Sequence, residues 1–173
     1  MKNFIIVLGI LITYLIIGNT VVEAVKIPDE AIRLRVVPNS DSEYDQNIKL
    51  KVKTEVEKEL FNLLKNTKGI EEARTVINDN LDTIDNKINS LLLKENYKLG
   101  YNINFGYNYF PEKEFNGIIY DEGMYESLLI TLGKGEGSNW WCVLFPPLCL
   151  LEAEESDEVE YKLFIQELIE KYL

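Results

Sequence analysis

The residues best equipped for chemistry lie in one run, Gly133 to Leu151, read as GKGEGSNWWCVLFPPLCLL. It holds both cysteines of the chain (Cys142, Cys149), both tryptophans (Trp140, Trp141) and the pair Pro146-Pro147. From Trp140 to Leu151 no residue is charged, in a chain whose charged fraction is 27%. A cysteine acts as a nucleophile only as its thiolate, which needs a neighbouring base or cation. The chain has no histidine, so a Cys–His pair is excluded and catalysis by Cys142 is the weakest reading. Two others stand open. The run is a hydrophobic plug closing one end of a core, or it is a recognition surface of the aromatic kind that carries interface hot spots. Gly133, Gly135 and Gly137 are free to take positive φ and to let other backbone approach. The two prolines cannot donate to a ladder, so neither an ordinary helix nor an ordinary strand is expected here.

Elsewhere the inventory is sparse. Asp41 with Asp45, and Glu154 with Glu155, could be paired as acid and base. The first pair suits a helix cap and the second an acidic tail, settings that do not push two pKa values apart. Asn39, Asp41, Glu43 and Asp45 suggest calcium ligands, but the mid-loop glycine and closing bidentate glutamate of an EF-hand are missing. No Gly-x-Ser-x-Gly, Walker loop or dinucleotide fingerprint occurs. The residues therefore predict no enzyme, no metal and no cofactor. A net charge of −11, from 29 acidic and 18 basic residues, disfavours nucleic acid and anionic membrane surfaces.

The elements that must position the run follow from hydrophobic period. Lys2 followed by the apolar stretch Phe4–Ile17 reads as a leader, with Val22-Glu23-Ala24 spaced for signal-peptidase cleavage; an uncleaved anchor is the rival. Residues 1–24 are thus a signal peptide or N-terminal anchor, 25–151 an exported domain, and 152–173 an acidic linker with an amphipathic end. The membrane is engaged only through the N-terminal segment. Ile32, Leu34 and Val36 alternate with Arg33 and Arg35, a short strand. Ser42 caps a helix carrying Ile48, Val52, Val56, Leu60 and Leu64, closed by Gly69. A second helix, Ile70 to about Leu93, completes a hairpin. Tyr97 to Tyr109 alternates aromatic with small polar residues, the clearest strand. Phe115–Tyr120 and Tyr125–Leu132 form a hairpin about Asp121-Glu122-Gly123, which leads into Gly133. The predicted fold is α+β: a helical hairpin on a small, mainly antiparallel sheet, with a Trp/Pro-rich loop at one end. Outside the cytoplasm Cys142 and Cys149 would clip that loop. Closing so short a loop is worth roughly 2.5 kcal/mol, although a regular pleat would hold the thiols apart.

GEGSNWWCVLFPPLC, Gly135 to Cys149, resembles the signature of the stage II sporulation protein R family of endospore-forming bacteria. Ile32 to Leu50, around Asn-Ser-Asp-Ser and Asp45-Gln46, is similar to that family's N-terminal block, with Pro38 as a departure. A third block runs from Phe110-Pro111 through Gly117, Gly123, Tyr125 and Glu126 to Leu132-Gly133. The resemblance implies a protein exported from the forespore by the secretion machinery into the space between two sporulating cells. It implies as partner a membrane-embedded protease that processes the precursor of a mother-cell sigma factor. On that reading the contact surface comprises Gly135, Gly137, Asn139, Trp140, Trp141, Val143, Leu144, Phe145, Pro146 and Pro147. The competing class is an exported wall- or glycan-binding module that uses the aromatic strand.

Overall fold

A computed structural model describes residues 30–115 and 118–146. The elements, in chain order, are β1 (Ile32–Val37), α1 (Glu43–Leu64), α2 (Ile70–Asp79), α3 (Leu81–Lys94), β2 (Tyr101–Phe110), β3 (Lys113–Phe115), β4 (Ile118–Tyr120), β5 (Gly123–Leu132) and β6 (Trp140–Phe145). The leader, the Cys142–Cys149 pairing and the C-terminal segment all reach outside the described residues.

The fold is α+β, three helices against one face of a four-stranded sheet of order β2-β5-β1-β6. That sheet is mixed rather than mainly antiparallel, because β1 runs parallel to β5 and antiparallel to β6. Strands paired in parallel are usually covered on both faces, and β1 has the composition for it. Ile32, Leu34 and Val36 point into the core with 0% exposure, while Arg33 on the opposite face is only 1% exposed. The core also takes Ile48, Val52, Val56, Leu60 and Leu64 from α1, Ala73 and Ile77 from α2, and Ile84, Ile88 and Leu92 from α3. Leu128, Ile130 and Leu132 of β5 and Leu144 and Phe145 of β6 close it.

Helix α1 begins as its sequence dictates. Ser42 is the N-cap, its Oγ accepting from the Asp45 N–H at 3.2 Å, with acids in the first turn where the helix dipole favours them. Its end differs from expectation. The helix stops at Lys65, and Gly69, in an extended conformation, instead caps the start of α2. The second helix is also two helices. Asn78 and Asn80 turn their amides back onto the carbonyls of Arg74 and Val76, an alternative to continuing the helix that asparagine offers readily. Asn80 leaves helical geometry and the chain restarts as α3. Helix α3 closes on Asn96 at φ 54°, with Tyr97 N bonded to Leu92 O and Asn96 N to Leu93 O, a Schellman ending.

The predicted hairpin between residues 115–120 and 125–132 does not form. β4 pairs with β3 in a separate two-stranded sheet, and β5 pairs with β2 over ten residues, Tyr101↔Leu132 to Phe110↔Gly123. The uncharged run itself supplies a strand, β6, laid antiparallel along β1 with a register shift at Ile32/Arg33. Proline does not prevent this, because the first proline, Pro146, falls just beyond the strand.

Candidate functional site

At one end of the sheet β1 leads into α1 through Pro38-Asn39-Ser40-Asp41-Ser42, and β5 leads into β6 through Gly133 to Asn139. The two connections are tied together. Gly137 N donates to Pro38 O at 3.1 Å and Glu136 N to Asn39 O at 3.2 Å. Lys134 N donates to Asn39 Oδ1 at 3.1 Å, and Ser138 N donates to Asp41 Oδ1. From α1, Lys49 Nζ reaches Ser138 O at 2.9 Å and also donates to Gln46 Oε1, while Gln46 Nε2 donates to Ser40 O and Asp41 Oδ1.

Two acids organise this knot. Asp45, 5% exposed, accepts from Ser40 Oγ at 2.5 Å and Asn39 Nδ2 at 2.9 Å. The Ser40 and Asn39 donors hold its carboxyl below the usual range, since they favour the charged form. Asp41 lies lower too, chiefly through the Ser138 N–H. Burial pulls the Lys49 ammonium down, partly opposed by the Asp41 charge.

Gly137 fits where the two segments touch, and Gly135 where the connection folds back on the end of β5. A Cβ on Gly137 would lie closer than 3.0 Å to the Ser40 carbonyl and 2.8 Å from Pro38 Cγ. Gly135 sits at φ 68°, with Thr131 Cγ2 2.5 Å from where its Cβ would be. Their close approach is therefore to this chain's own backbone and side chains.

The remaining motif residues divide among three places. Asn139, its amide oxygen turned to Arg35, accepts from Nε and Nη2, each at 2.8 Å. Trp140 and Trp141, both half-buried, alternate along β6 and so face opposite sides of the sheet. Trp140 packs on the helical side, where Lys53 of α1 lies 4.9 Å from its ring centroid. Trp141 packs on the other side, edge-on to Phe110 at 5.6 Å, with Lys113 also 5.6 Å away. There the buried Arg33 guanidinium lies 3.3 Å from the Tyr125 centroid and 5.9 Å from that of Trp141. Val143, Leu144 and Phe145 are at most 1% exposed and Pro146 is buried, so these four can only support a surface. Pro147 and Cys149 lie outside the described residues. Cys142 is half-buried, its Sγ 3.7 Å from Val143 O.

Sequence reasoning gave Gln46 a place in a motif block but no role, assigned Lys49 none in the site, and, with calcium set aside, read Asn39 and Ser40 as a turn and Asp45 as part of a helix cap. The available signal was that these residues fall in one motif block and the glycines in another, ninety residues apart in sequence. Among the described residues no group of three or more Asp, Glu or Cys side chains is placed to hold a metal ion. Nor, among those residues, is any helix long and apolar enough to cross a membrane.

No solved structure matches the chain. The stage II sporulation protein R of Bacillus subtilis (strain 168) is 43% identical over 138 residues, which cover 80% of this chain and 62% of that relative. The chain thus spans less than two thirds of the relative's length. The family described as stage II sporulation protein R matches residues 28–155, a stretch that includes both halves of the knot and β6, and the chain belongs to that family.

Proposed function

We propose that this protein is an exported signal of endospore formation. It passes from the forespore into the intermembrane space and activates a membrane-embedded protease, which then processes a mother-cell sigma-factor precursor. Membership of the family supports a role in sporulation. The observation that carries the finer reading is the knot itself. Four backbone N–H groups of residues 134–138 are fixed on the β1–α1 turn, which holds Asn139 and Trp140 at the start of β6 in one geometry. A preset surface loses little entropy on binding, and a ligand switches a protease by binding its active state more tightly than its resting state. The protein is a ligand on this reading, not an enzyme. Residues 1–24 supply the export signal or anchor, and Cys142 pairs with Cys149.

Reconstitution in a non-sporulating host tests this. Protease and precursor are co-expressed with the intact chain, or with folded Trp140→Ala or Trp141→Ala variants, and precursor size is followed on a gel. Processing should require the intact chain and fall, in part or in full, with at least one folded variant. An unprocessed precursor despite verified export would sink the reading. The glycan-binding alternative draws support only from Tyr107 and Tyr109, 68% and 53% exposed. Their rings and the amides of Asn102, Asn104 and Asn108 leave β2 on opposite faces, so the two groups do not converge on one sugar.

A further inference from the structure

We propose that the acidic segment 152–160 of this same chain folds back over the face of the sheet opposite the helices and seats on the cations gathered there around Phe110 and Trp141. Three cations share that face. Arg35 lies 5.4 Å from the Phe110 centroid and Lys113 5.6 Å from that of Trp141. The buried Arg33 is 5.5 Å from the first ring and 5.9 Å from the second. Like charges this close disfavour one another unless a counter-charge is at hand. Among the described residues neither Arg35 nor Lys113 forms a salt bridge. Arg35 donates instead to neutral oxygens, Tyr109 O at 2.8 Å and Asn139 Oδ1, and burial holds its pKa below the usual guanidinium value. Lys113 stands exposed on β3, while its neighbour Glu114 leaves that strand on the opposite face. On the helical side the pattern is reversed, with Lys51, Lys53, Arg74 and Lys87 each paired with a glutamate.

Charge and reach select the occupant. Residues 152–160, EAEESDEVE, carry six carboxylates and no cation, in a chain of net charge −11. They lie outside the described residues, but the point from which the chain departs is described. β6 runs along β1 with Trp141 beside Arg35 and Val143 beside Arg33, and Pro146 follows its last residue. Glu152 comes six residues after Pro146, a span of up to about 20 Å. From Phe145 back to Trp141 is four residues of strand, about 13 Å. The segment therefore reaches Arg35 and Lys113 without moving any element. Its apolar residues are only Ala153 and Val159, so charge rather than burial must hold it.

An acidic stretch of another molecule could use the same cations, but a short tether gives the chain's own segment an effective concentration on the order of millimolar. While the segment is seated, Trp141 is covered, and a partner that reads this ring must displace it. The docking itself is independent of the signalling reading, and its test contains no sigma-factor precursor.

Zero-length carbodiimide cross-linking of the purified full-length chain in non-ionic detergent, with mass spectrometry of the monomer band, tests the docking. Carboxylates of residues 152–160 should couple to Lys113 ahead of every other lysine of residues 30–146. That product should fall about fivefold or more between about 0.1 and 1 M NaCl, as the Debye length shrinks from about 10 to about 3 Å. The Lys51–Glu95 pair, 2.6 Å apart, is the internal standard at both salt concentrations. A glutamate-specific protease should cut within the segment about threefold faster or more in Lys113→Glu, because the undocked population rises. Lys113→Arg, which keeps the charge, should be cut at the wild-type rate. The cross-linking needs no variant, so the proposal stays exposed even if a substitution disturbs folding. Coupling spread evenly over the lysines, coupling found only in dimers, a Lys113 product indifferent to salt, or cleavage unchanged by Lys113→Glu would each overturn it.

Discussion

Replacing Gly137 by alanine tests whether the knot holds the fold together or merely decorates it. The added Cβ would fall closer than 3.0 Å to the Ser40 carbonyl and to Pro38 Cγ. The Ser40 backbone cannot turn aside as a long side chain would, and its carbonyl already accepts from Gln46 Nε2. The loop must therefore lift, putting at risk four bonds made by the N–H groups of Lys134, Glu136, Gly137 and Ser138. At about 1 kcal/mol net for each bond, loss of two or three costs about 2–3 kcal/mol. Overpacking at a site that cannot relax gives the same range, about 1–3 kcal/mol. Urea unfolding followed by tryptophan fluorescence should read this as a midpoint lowered by about 1–2 M, with the slope unchanged. Gly106→Ala is the matched control, because nothing lies within 4 Å of its Cβ position; it should move the midpoint little. Equal stability of Gly137→Ala and Gly106→Ala would refute the argument that the glycines serve contact within the chain.

Three further outcomes follow from the same contacts. Asp45 has a folded pKa below its unfolded value, so its contribution is present in full above the unfolded pKa of about 3.9 and is lost as pH falls through the folded one. Asp45→Asn should flatten the acid limb of a stability–pH profile, and an unchanged limb would assign that limb to other groups. Arg74 holds the nearly buried Glu126 by two bonds, 2.7 Å from Nε and 2.8 Å from Nη2. Arg74→Ala should cost about 2–3 kcal/mol in urea unfolding, because it strands that carboxylate, and adding Glu126→Gln should recover part of the loss. If Cys142 and Cys149 are bonded, intact mass after alkylation without reductant shows no adduct, and reductant lowers stability by roughly 2.5 kcal/mol; two adducts would remove the bond.

The sequence made legible whatever depends on period and local chemistry. The four-residue recurrence from Ile48 to Leu64 named one face of α1, Ser42 marked its start, and alternation from Tyr97 to Tyr109 placed β2, although Tyr97 closes the preceding helix and the strand begins only at Tyr101. Long-range pairing left no comparable trace. β5 could follow β4 as a hairpin or leave it for β2, and short turn residues at 121–123 suit either course. The parallel β1–β5 pair joins residues some ninety positions apart, and nothing in either strand states its direction. The break at Asn80 was invisible because the apolar stripe continues across it, Ile77 to Leu81 to Ile84. In the site, Gly137 permits a close approach, but the approaching backbone is this chain's own, at Ser40, while Gly135 meets the Thr131 and Val37 side chains. Pairing the two motif blocks with each other would have found this.

The strand nature of β6 changes what the tryptophans can do together. In a loop, Trp140 and Trp141 could turn to one partner; in a pleated strand successive side chains leave on opposite faces. Trp140 lies beside Lys53 and the helices, and Trp141 beside Phe110, Arg33 and Lys113. One flat contact cannot take both rings face-on, so a partner reads the helical side, the open side, or the outer edge of β6 between them. A double substitution conflates these three cases, whereas single ones separate them. Loss with Trp140→Ala alone puts the contact on the α1 side, next to the knot. Loss with Trp141→Ala alone puts it over the Arg33 cluster. Equal partial loss from each points to the edge, where the backbone makes the contact and the two rings flank it.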